Sequence, residues 1–182
     1  DQALELLVTR QFLMPETLAN GQVYTFRHAL IQEAVYATLL KRDRQRFHLQ
    51  VAQTIEDSDA WLLGERIEAL AYHYAESANP EKAIPHLIAA AENAARRCDY
   101  ETAATRYQNA LSLVTHFGNE EQYDLLAMQI GLGRALKFTG KYGEASKVLE
   151  QALRDSLYLQ AKASIAQIMP QMVRGLNELA DI

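Results

Sequence analysis

The spacing of alanine in the second half of the chain limits the fold more than any other feature of the sequence. Two segments place alanine, a large residue four positions later, and alanine again three positions after that: Ala103, Tyr107, Ala110 and Ala145, Leu149, Ala152. In such a pattern the small side chains let two antiparallel helices approach closely, and the large side chain fills the gap between them. A weaker third copy begins at Ala83. The pattern therefore predicts a stack of antiparallel helices.

The composition is also typical of a folded, helix-rich chain. Among 182 residues there are only 8 Gly and 4 Pro, while 49% are hydrophobic and 23% are charged. These values argue against general disorder and favour helices over strands. Asp57-Ser-Asp59 marks the first break in composition, so we predict one domain at 1–58 and a second at 59–182. The second domain is predicted to consist of helices near 65–78, 80–97, 100–117, 121–139, 142–156 and 158–181.

Residues 126–159 resemble one complete tetratricopeptide repeat. Leu132-Gly133 stand where its first helix has a Leu-Gly pair, and the Ala145 segment matches its second helix. The copies are unevenly spaced, because 20 residues separate Ala83 from Ala103 but 42 separate Ala103 from Ala145. A regular repeat of about 34 residues does not fit the whole segment, so we expect the helix at 80–97 to partner both of its neighbours. The resemblance implies a non-catalytic scaffold that binds other proteins.

Residues 1–58 follow a different pattern. A short helix is predicted at 2–9, followed by strands at 12–14 and 22–27 that are joined through the turn pair Asn20-Gly21. The second strand runs without a turn into a predicted helix at 28–40, whose apolar residues lie on one face. Another helix is predicted from about 44 to 55, with apolar residues every four positions.

The order of strand, histidine and helix in Phe26-Arg-His-Ala-Leu-Ile-Gln-Glu-Ala-Val-Tyr36 resembles the end of the winged-helix element in STAND signal-transduction NTPases. This class includes the regulatory halves of some bacterial cyclases and LuxR-type activators. Residues 46–56 resemble the segment that follows that element, at a slightly different spacing. The resemblance implies a mainly α regulatory region in a cytoplasmic bacterial protein. ATP or ADP would occupy an upstream domain and no cofactor would lie in this region. The partner would be that ATPase domain or another protein.

His28 and Arg27 are the candidate nucleotide contacts that the resemblance implies. In the death-switch ATPases of this class, a histidine within a Met-His-Asp motif contacts the β-phosphate of ADP. Here the triplet is Arg27-His28-Ala29, so the histidine matches and its flanking residues do not. An imidazole can donate an N–H to a phosphate oxygen, and protonation would strengthen that contact. The alternative is that His28 only caps or packs the start of the following helix.

Charge and cysteine content exclude several classes of function. The net charge of −5 argues against a chain that mainly grips phosphate backbones. Cys98 is the only cysteine, which rules out an internal disulfide and fits a reducing compartment. No apolar run reaches the length of a membrane span.

The sequence contains one basic cluster, which comprises Arg27, Lys41, Arg42, Arg44 and Arg46. These side chains could bind a phosphate, an acidic face of a neighbouring domain or DNA. Alternatively, they form a solvated helix end.

Neither a metal site nor an enzyme active site is predicted. The five histidines show no pairing at a spacing of four residues and no cysteine partner at ligand spacing. Gly131-Leu-Gly133 lacks the preceding strand and the following Lys-Ser/Thr of a phosphate loop. Cys98 has no base placed beside it by a motif. The sequence thus indicates a region that is not itself an enzyme.

Two other functions stay open. The chain is alternatively a winged-helix transcription regulator with a helical-repeat effector domain. A third interpretation is a plain scaffold without any link to a nucleotide. A glycine-rich phosphate loop upstream of Asp1 would support the ATPase interpretation, and a recognition helix there would support the transcription regulator.

Overall fold

A computed structural model of the chain describes residues 2–18, 21–58, 63–118, 120–158, 169–170 and 172–173. The described chain is mainly helical, with one two-stranded antiparallel sheet near its start. The predicted mainly α class, with a small hairpin followed by an antiparallel helical array, is confirmed.

The N-terminal segment has the predicted order of helix, hairpin and helix. Helix α1 spans Gln2–Thr9, strands β1 and β2 span Leu13–Leu18 and Gly21–Phe26, and helix α2 spans Ala29–Thr38. Helix α1 packs on β1 and α2 packs on β2. Asn20 of the predicted turn lies outside the described residues. The winged-helix assignment itself stays a prediction.

Strand β1 differs from the prediction. It begins at Leu13 and continues to Leu18 through Pro15, which the sequence pattern assigned to the connection between strands. Pro15 lies opposite Tyr24 in the ladder. In a sheet of two strands each strand is an edge, so a residue without an N–H is tolerated there. Proline was therefore a misleading sign of a strand end.

Six further helices and two 3₁₀ turns follow between residues 41 and 158. They are α3 (Lys41–Glu56), α4 (Leu63–Ala75), a 3₁₀ turn (Pro80–Lys82), α5 (Ala83–Arg96), α6 (Tyr100–Phe117), a 3₁₀ turn (Glu120–Gln122), α7 (Leu125–Phe138) and α8 (Tyr142–Tyr158). From α3 onward each helix packs on the next one in sequence. Helix α5 contacts both α4 and α6, which confirms that it has two partners.

Several helix boundaries depart from the predicted ones: α3 already starts at Lys41 and α4 already ends at Ala75, where about 44 and 78 were predicted. The helix predicted at 80–97 begins with the 3₁₀ turn, because Pro80 fixes the first turn before α5 starts. The helix predicted at 121–139 starts at Leu125, after a second 3₁₀ turn and the cap at Asp124. Most of the helix predicted at 158–181 lies outside the described residues, and residues 169–170 and 172–173 are helical.

The alanines of the repeat pattern lie in the core, as predicted. Those of the three copies are at most 3% exposed: Ala83, Ala90, Ala103, Ala110, Ala145 and Ala152. Large residues between them, such as Leu87 and Leu149, are buried against the neighbouring helices. Helix α3 also buries Ala52 and Ile55 in the core that it shares with the array. The domain boundary between 58 and 59 stays a prediction.

Helix α7 approaches its neighbours most closely at two glycines. A Cβ atom on Gly133 would lie 2.5 Å from Cδ2 and 2.6 Å from Cγ of Leu149 in α8. A Cβ atom on Gly131 would lie 2.5 Å from Cζ of Tyr107 in α6. The predicted role of Gly133 in the Leu-Gly pair therefore has a steric cause, since no side chain fits at that crossing.

We expect Gly133→Ala to destabilise the chain although alanine is the better helix former by about 1 kcal/mol. The added methyl group collides with Leu149, and overpacking a core typically costs about 1–3 kcal/mol. Urea denaturation measures the free energy of unfolding. The matched control is Gly143→Ala in α8, where an added Cβ meets nothing within 4 Å. A Gly133→Ala variant as stable as the Gly143→Ala variant would contradict the close helix crossing.

Candidate functional sites

The predicted nucleotide contacts Arg27 and His28 lie at the corner between β2 and α2. His28 is the N-terminal cap residue of α2 in an extended conformation, with φ −134° and ψ 128°, and its side chain makes no capping hydrogen bond. The imidazole is exposed. Arg27 is also exposed, and its Nη1 donates to Oε1 of Gln11 at 2.8 Å. His28 is therefore accessible to another domain, while its role as a phosphate sensor stays a prediction.

The described part of the N-terminal segment leaves most of its large apolar side chains exposed. Helices α1 and α2 contain no buried residue, and Leu13 is the one buried hydrophobic residue within the described part of 1–40. Leu30, two positions after His28, is 77% exposed. The other exposed large hydrophobic residues of this segment are Leu6, Leu7, Phe12, Met14, Val23, Phe26, Val35, Tyr36 and Leu40. Exposed apolar patches of this kind mark interaction surfaces.

A chain of three polar side chains connects α2 to the helical array. The Tyr36 hydroxyl lies 2.9 Å from Nε2 of His48 in α3, and Nδ1 of His48 lies 3.0 Å from Nδ1 of His73 in α4. His48 is only 7% exposed. Because both Nδ1 atoms face each other, a hydrogen bond between them requires that one is protonated and the other is not. We call this set the histidine joint.

Burial disfavours the charged form of both histidines in the joint. It lowers the pKa of His48, and the nearby Arg44 acts in the same direction while Glu76 opposes it. Burial also lowers the pKa of His73, with a smaller contribution from His48 itself. Sequence reasoning missed this pair because the partners are 25 residues apart on different helices. No local spacing rule connects them.

A second polar cluster lies at the junction of α3, α4 and α5. The hydroxyl of Tyr74 donates to Oε2 of Glu56 at 2.5 Å, and Nε2 of His86 lies 3.9 Å from Oε1 of the same carboxylate. Tyr74 and His86 are stacked with ring centroids 5.7 Å apart. Burial, followed by the hydrogen bond to Glu56, raises the pKa of Tyr74, so Tyr74 acts as a neutral donor. This arrangement joins three helices and brings no nucleophile beside a base.

Two members of the predicted basic cluster have partners within α2 and α3. The guanidinium of Arg44 lies 5.2 Å from the ring centroid of Tyr36. Arg46 is 3.6 Å from the carboxylate of Asp43 and 5.2 Å from the ring centroid of Phe47. Arg44 and Arg46 therefore belong to an ordinary solvated helix surface, which is the alternative interpretation of the basic cluster.

A cleft with a volume of about 470 Å³ lies between α5, α6 and α7. Tyr107 from α6 lines it, next to Gly131 of α7, and two arginines line it from the flanking helices, Arg96 in α5 and Arg134 in α7. Burial and then Glu92 raise the pKa of Tyr107, while Arg134 and Arg96 oppose this shift. The sequence pattern identified Tyr107 only as a gap-filling residue.

The structure also bears on Cys98, on metal binding and on membrane-spanning helices. Cys98 is exposed and adopts a left-handed conformation with φ 61°, at the place where the repeat often has glycine. Within the described ranges, no three His, Cys, Asp or Glu side chains come together as a metal site would require. None of the described helices combines the length and the apolar character needed to cross a membrane.

Comparison with known proteins supports the repeat assignment. Residues 87–155 match the tetratricopeptide repeat family, and they comprise most of α5 through α8. An uncharacterised protein from Rhizobium meliloti is 22% identical over 165 residues, which are 91% of this chain and 16% of that relative. The chain thus spans less than a fifth of the length of this relative. A tetratricopeptide-like repeat domain implies a role in protein interaction, and such domains are generally non-catalytic scaffolds.

We expect the histidine joint to make stability depend on pH. Both pKa values are lowered in the folded state, so the unfolded chain binds more protons below its histidine pKa of about 6.5. The contribution of the joint is fully present above that pH and is lost as the pH falls below it. Urea midpoints measured between pH 7.5 and 5 should decrease, and His73→Asn should weaken the decrease because an amide can replace Nδ1 without titrating.

The control for this experiment is His116→Asn, since His116 is exposed on α6 and remote in sequence from the joint. That variant should keep the wild-type pH dependence. An equal pH dependence in the wild type and in His73→Asn would show that the joint contributes nothing to it.

Proposed function

We propose that this chain is the regulatory and protein-interaction region of a STAND-type signal-transduction ATPase. The observation that carries the proposal is that α1, the hairpin and α2 bury almost none of their apolar residues, while His28 is exposed among them. An apolar surface with an accessible imidazole is suited to pack on a neighbouring domain that holds ADP. The Rhizobium relative, of which this chain covers 16%, is large enough to contain such a domain.

In the proposed mechanism, the N-terminal segment binds to the nucleotide-binding domain when that domain holds ADP. His28 donates a hydrogen bond to a phosphate of ADP and so favours the closed form. The helical array binds the activating protein partner, and that partner shifts the population toward the open form because it binds this form more tightly. The histidine joint connects these two parts, since Tyr36 belongs to α2 and His73 to α4. The whole protein would act in the cytoplasm.

The test uses the complete protein with its ATPase domain. We expect His28→Ala to weaken ADP binding roughly ten- to a hundredfold, because a hydrogen bond to a charged group contributes about 1.5–3 kcal/mol. Basal output should increase, since the closed form loses this contact. Isothermal titration with ADP measures the first effect. The control is His116→Ala, which removes an exposed imidazole from the array. Unchanged ADP affinity and basal output in His28→Ala would refute the sensor role.

A DNA-binding role is the competing proposal, and it makes the opposite prediction in a binding assay. The chain has a net charge of −5, and Arg44 and Arg46 already contact side chains of α2 and α3. We therefore expect no submicromolar binding to mixed-sequence duplexes at physiological salt. Fluorescence anisotropy measures this binding. Tight binding to one sequence that persists at raised salt would support the transcription regulator instead.

A further inference from the structure

The histidine joint fixes a helix that buries none of its own side chains. Helix α2 contains no buried residue, and the two residues that connect it to α3, Leu39-Leu40, are both in an extended conformation. Tyr36 is a residue of α2 that reaches α3. Its hydroxyl lies 2.9 Å from Nε2 of His48, and its ring centroid lies 5.2 Å from the guanidinium carbon of Arg44. A short connection between two helices can act as a hinge, so these contacts help to set the orientation of α2.

His48 is enclosed by aromatic rings from two helices. It is 7% exposed, and its ring centroid lies 5.9 Å from that of Tyr36, 5.4 Å from that of Tyr72 and 5.0 Å from that of His73. An imidazolium needs an acceptor or water at each of its two N–H groups. Water therefore reaches a charged His48 only if one of the surrounding rings moves.

The charged and titratable side chains around the two histidines lie on α2, on α3 and at the end of α4. They are Tyr36, Arg44, Tyr72 and Glu76. Arg44 disfavours a proton on His48, and the exposed Glu76 favours it. Each of the two histidines also disfavours a second charge beside it, as like charges do. Double protonation of the pair therefore strains the closed arrangement.

The pair can bind one extra proton without losing its contacts, but not two. In the neutral pair, a single hydrogen lies between the two Nδ1 atoms, which are 3.0 Å apart. A first extra proton goes to the free Nε2 atom, and Nε2–H of His48 can then donate to the hydroxyl oxygen of Tyr36. A second extra proton places hydrogens on both facing Nδ1 atoms, so neither can accept. The contact between the two rings must then open.

The apolar core determines which element moves when the pair opens. Helix α3 contributes Ala52 and Ile55 to this core, and α4 contributes Leu70 and Ala71. All four side chains are at most 3% exposed, so a separation of α3 from α4 would expose apolar surface. Helix α2 buries no residue, and its displacement has no such cost. We therefore expect α2 to move and α3 and α4 to stay together.

We infer that the histidine joint is a proton-controlled switch: when both histidines are charged, His48 turns toward water, Tyr36 loses its partner, and α2 rotates about Leu39-Leu40 away from the array. At neutral pH the pair holds α2 in one orientation. The hairpin moves with α2, because β2 packs on it. The array keeps its fold in both states, since its core is not involved. This inference needs no nucleotide and no role for His28.

The experiment measures the distance between α2 and the array in chain 1–182 by double electron–electron resonance. One nitroxide is attached to the native Cys98, which is exposed, and the other to Gln32→Cys on the exposed surface of α2. We expect a single narrow distance at pH 7.5 and a second population that grows as the pH falls to 5. The open form binds at least one more proton than the closed form. Its equilibrium constant should therefore rise about tenfold or more per pH unit well below the ordinary histidine pKa of about 6.5.

Two variants test the parts of the switch. In His73→Asn, the amide oxygen can accept from Nδ1–H of a charged His48, so no second proton is taken up at this place. The second population at pH 5 should then be at least about tenfold smaller than in the wild type. Tyr36→Phe retains the ring but removes the hydroxyl, and it should show the second population already at pH 7.5. Circular dichroism of each variant at both pH values reports whether the array is folded.

The matched control is His86→Asn, because burial also lowers the pKa of His86, which lies beside Glu56 and outside the joint. This variant should keep the wild-type response to pH. The proposal is overturned by equal distance distributions at the two pH values, by a full response in His73→Asn, by loss of the response in His86→Asn, or by a Tyr36→Phe variant without a second population at pH 7.5. Loss of helix content in step with the change in distance would overturn it too, since the array must stay folded. No ADP is present, so the outcome is independent of the His28 test.

Discussion

The close approach of neighbouring helices at alanine and glycine positions is the constraint on which the rest of the structure depends. Each helix of the array can bury its apolar face only if the next helix lies directly against it, and a larger side chain at these positions would hold the two apart. Ala103 and Ala145 satisfy this condition with a methyl group, and Gly133 satisfies it with none. The same condition holds at Gly131, where the ring of Tyr107 occupies the space that a side chain would need.

The two parts of the chain differ in how they are stabilised. Helix α3 and the array share an apolar core that reaches from α3 to α8. The segment before α3 buries little, and the Tyr36 hydroxyl contacts His48 in α3, which in turn contacts His73 in α4. The stabilisation from such polar contacts depends on geometry and protonation, whereas the stabilisation from apolar burial depends on them far less. The junction between the two parts is therefore expected to respond to pH, because it contains His48.

The array could be predicted from the sequence because its signals are local. Alanine spacing acts within a few residues, and the alanines lie in the core as predicted. The prediction that the first strand ends before Pro15 was wrong, because the rule against proline applies to interior strands. The contact between His48 and His73, and the cleft that Arg96, Tyr107 and Arg134 line together, could not be predicted, since they depend on how separate helices are stacked. The exposure of His28 likewise follows from packing that no residue spacing encodes.

Helix α5 packs against two neighbours, and this limits how it can move. This helix contacts α4 on one side and α6 on the other, so it cannot slide toward one neighbour without opening a gap against the other. A displacement of α4 must therefore be carried forward through α5 as a rigid-body movement and not absorbed locally. In a stack where each helix contacts mainly its sequence neighbours, a displacement of one helix is passed to the next. We therefore expect a tilt imposed on α4 to be passed along the stack toward α7 and α8.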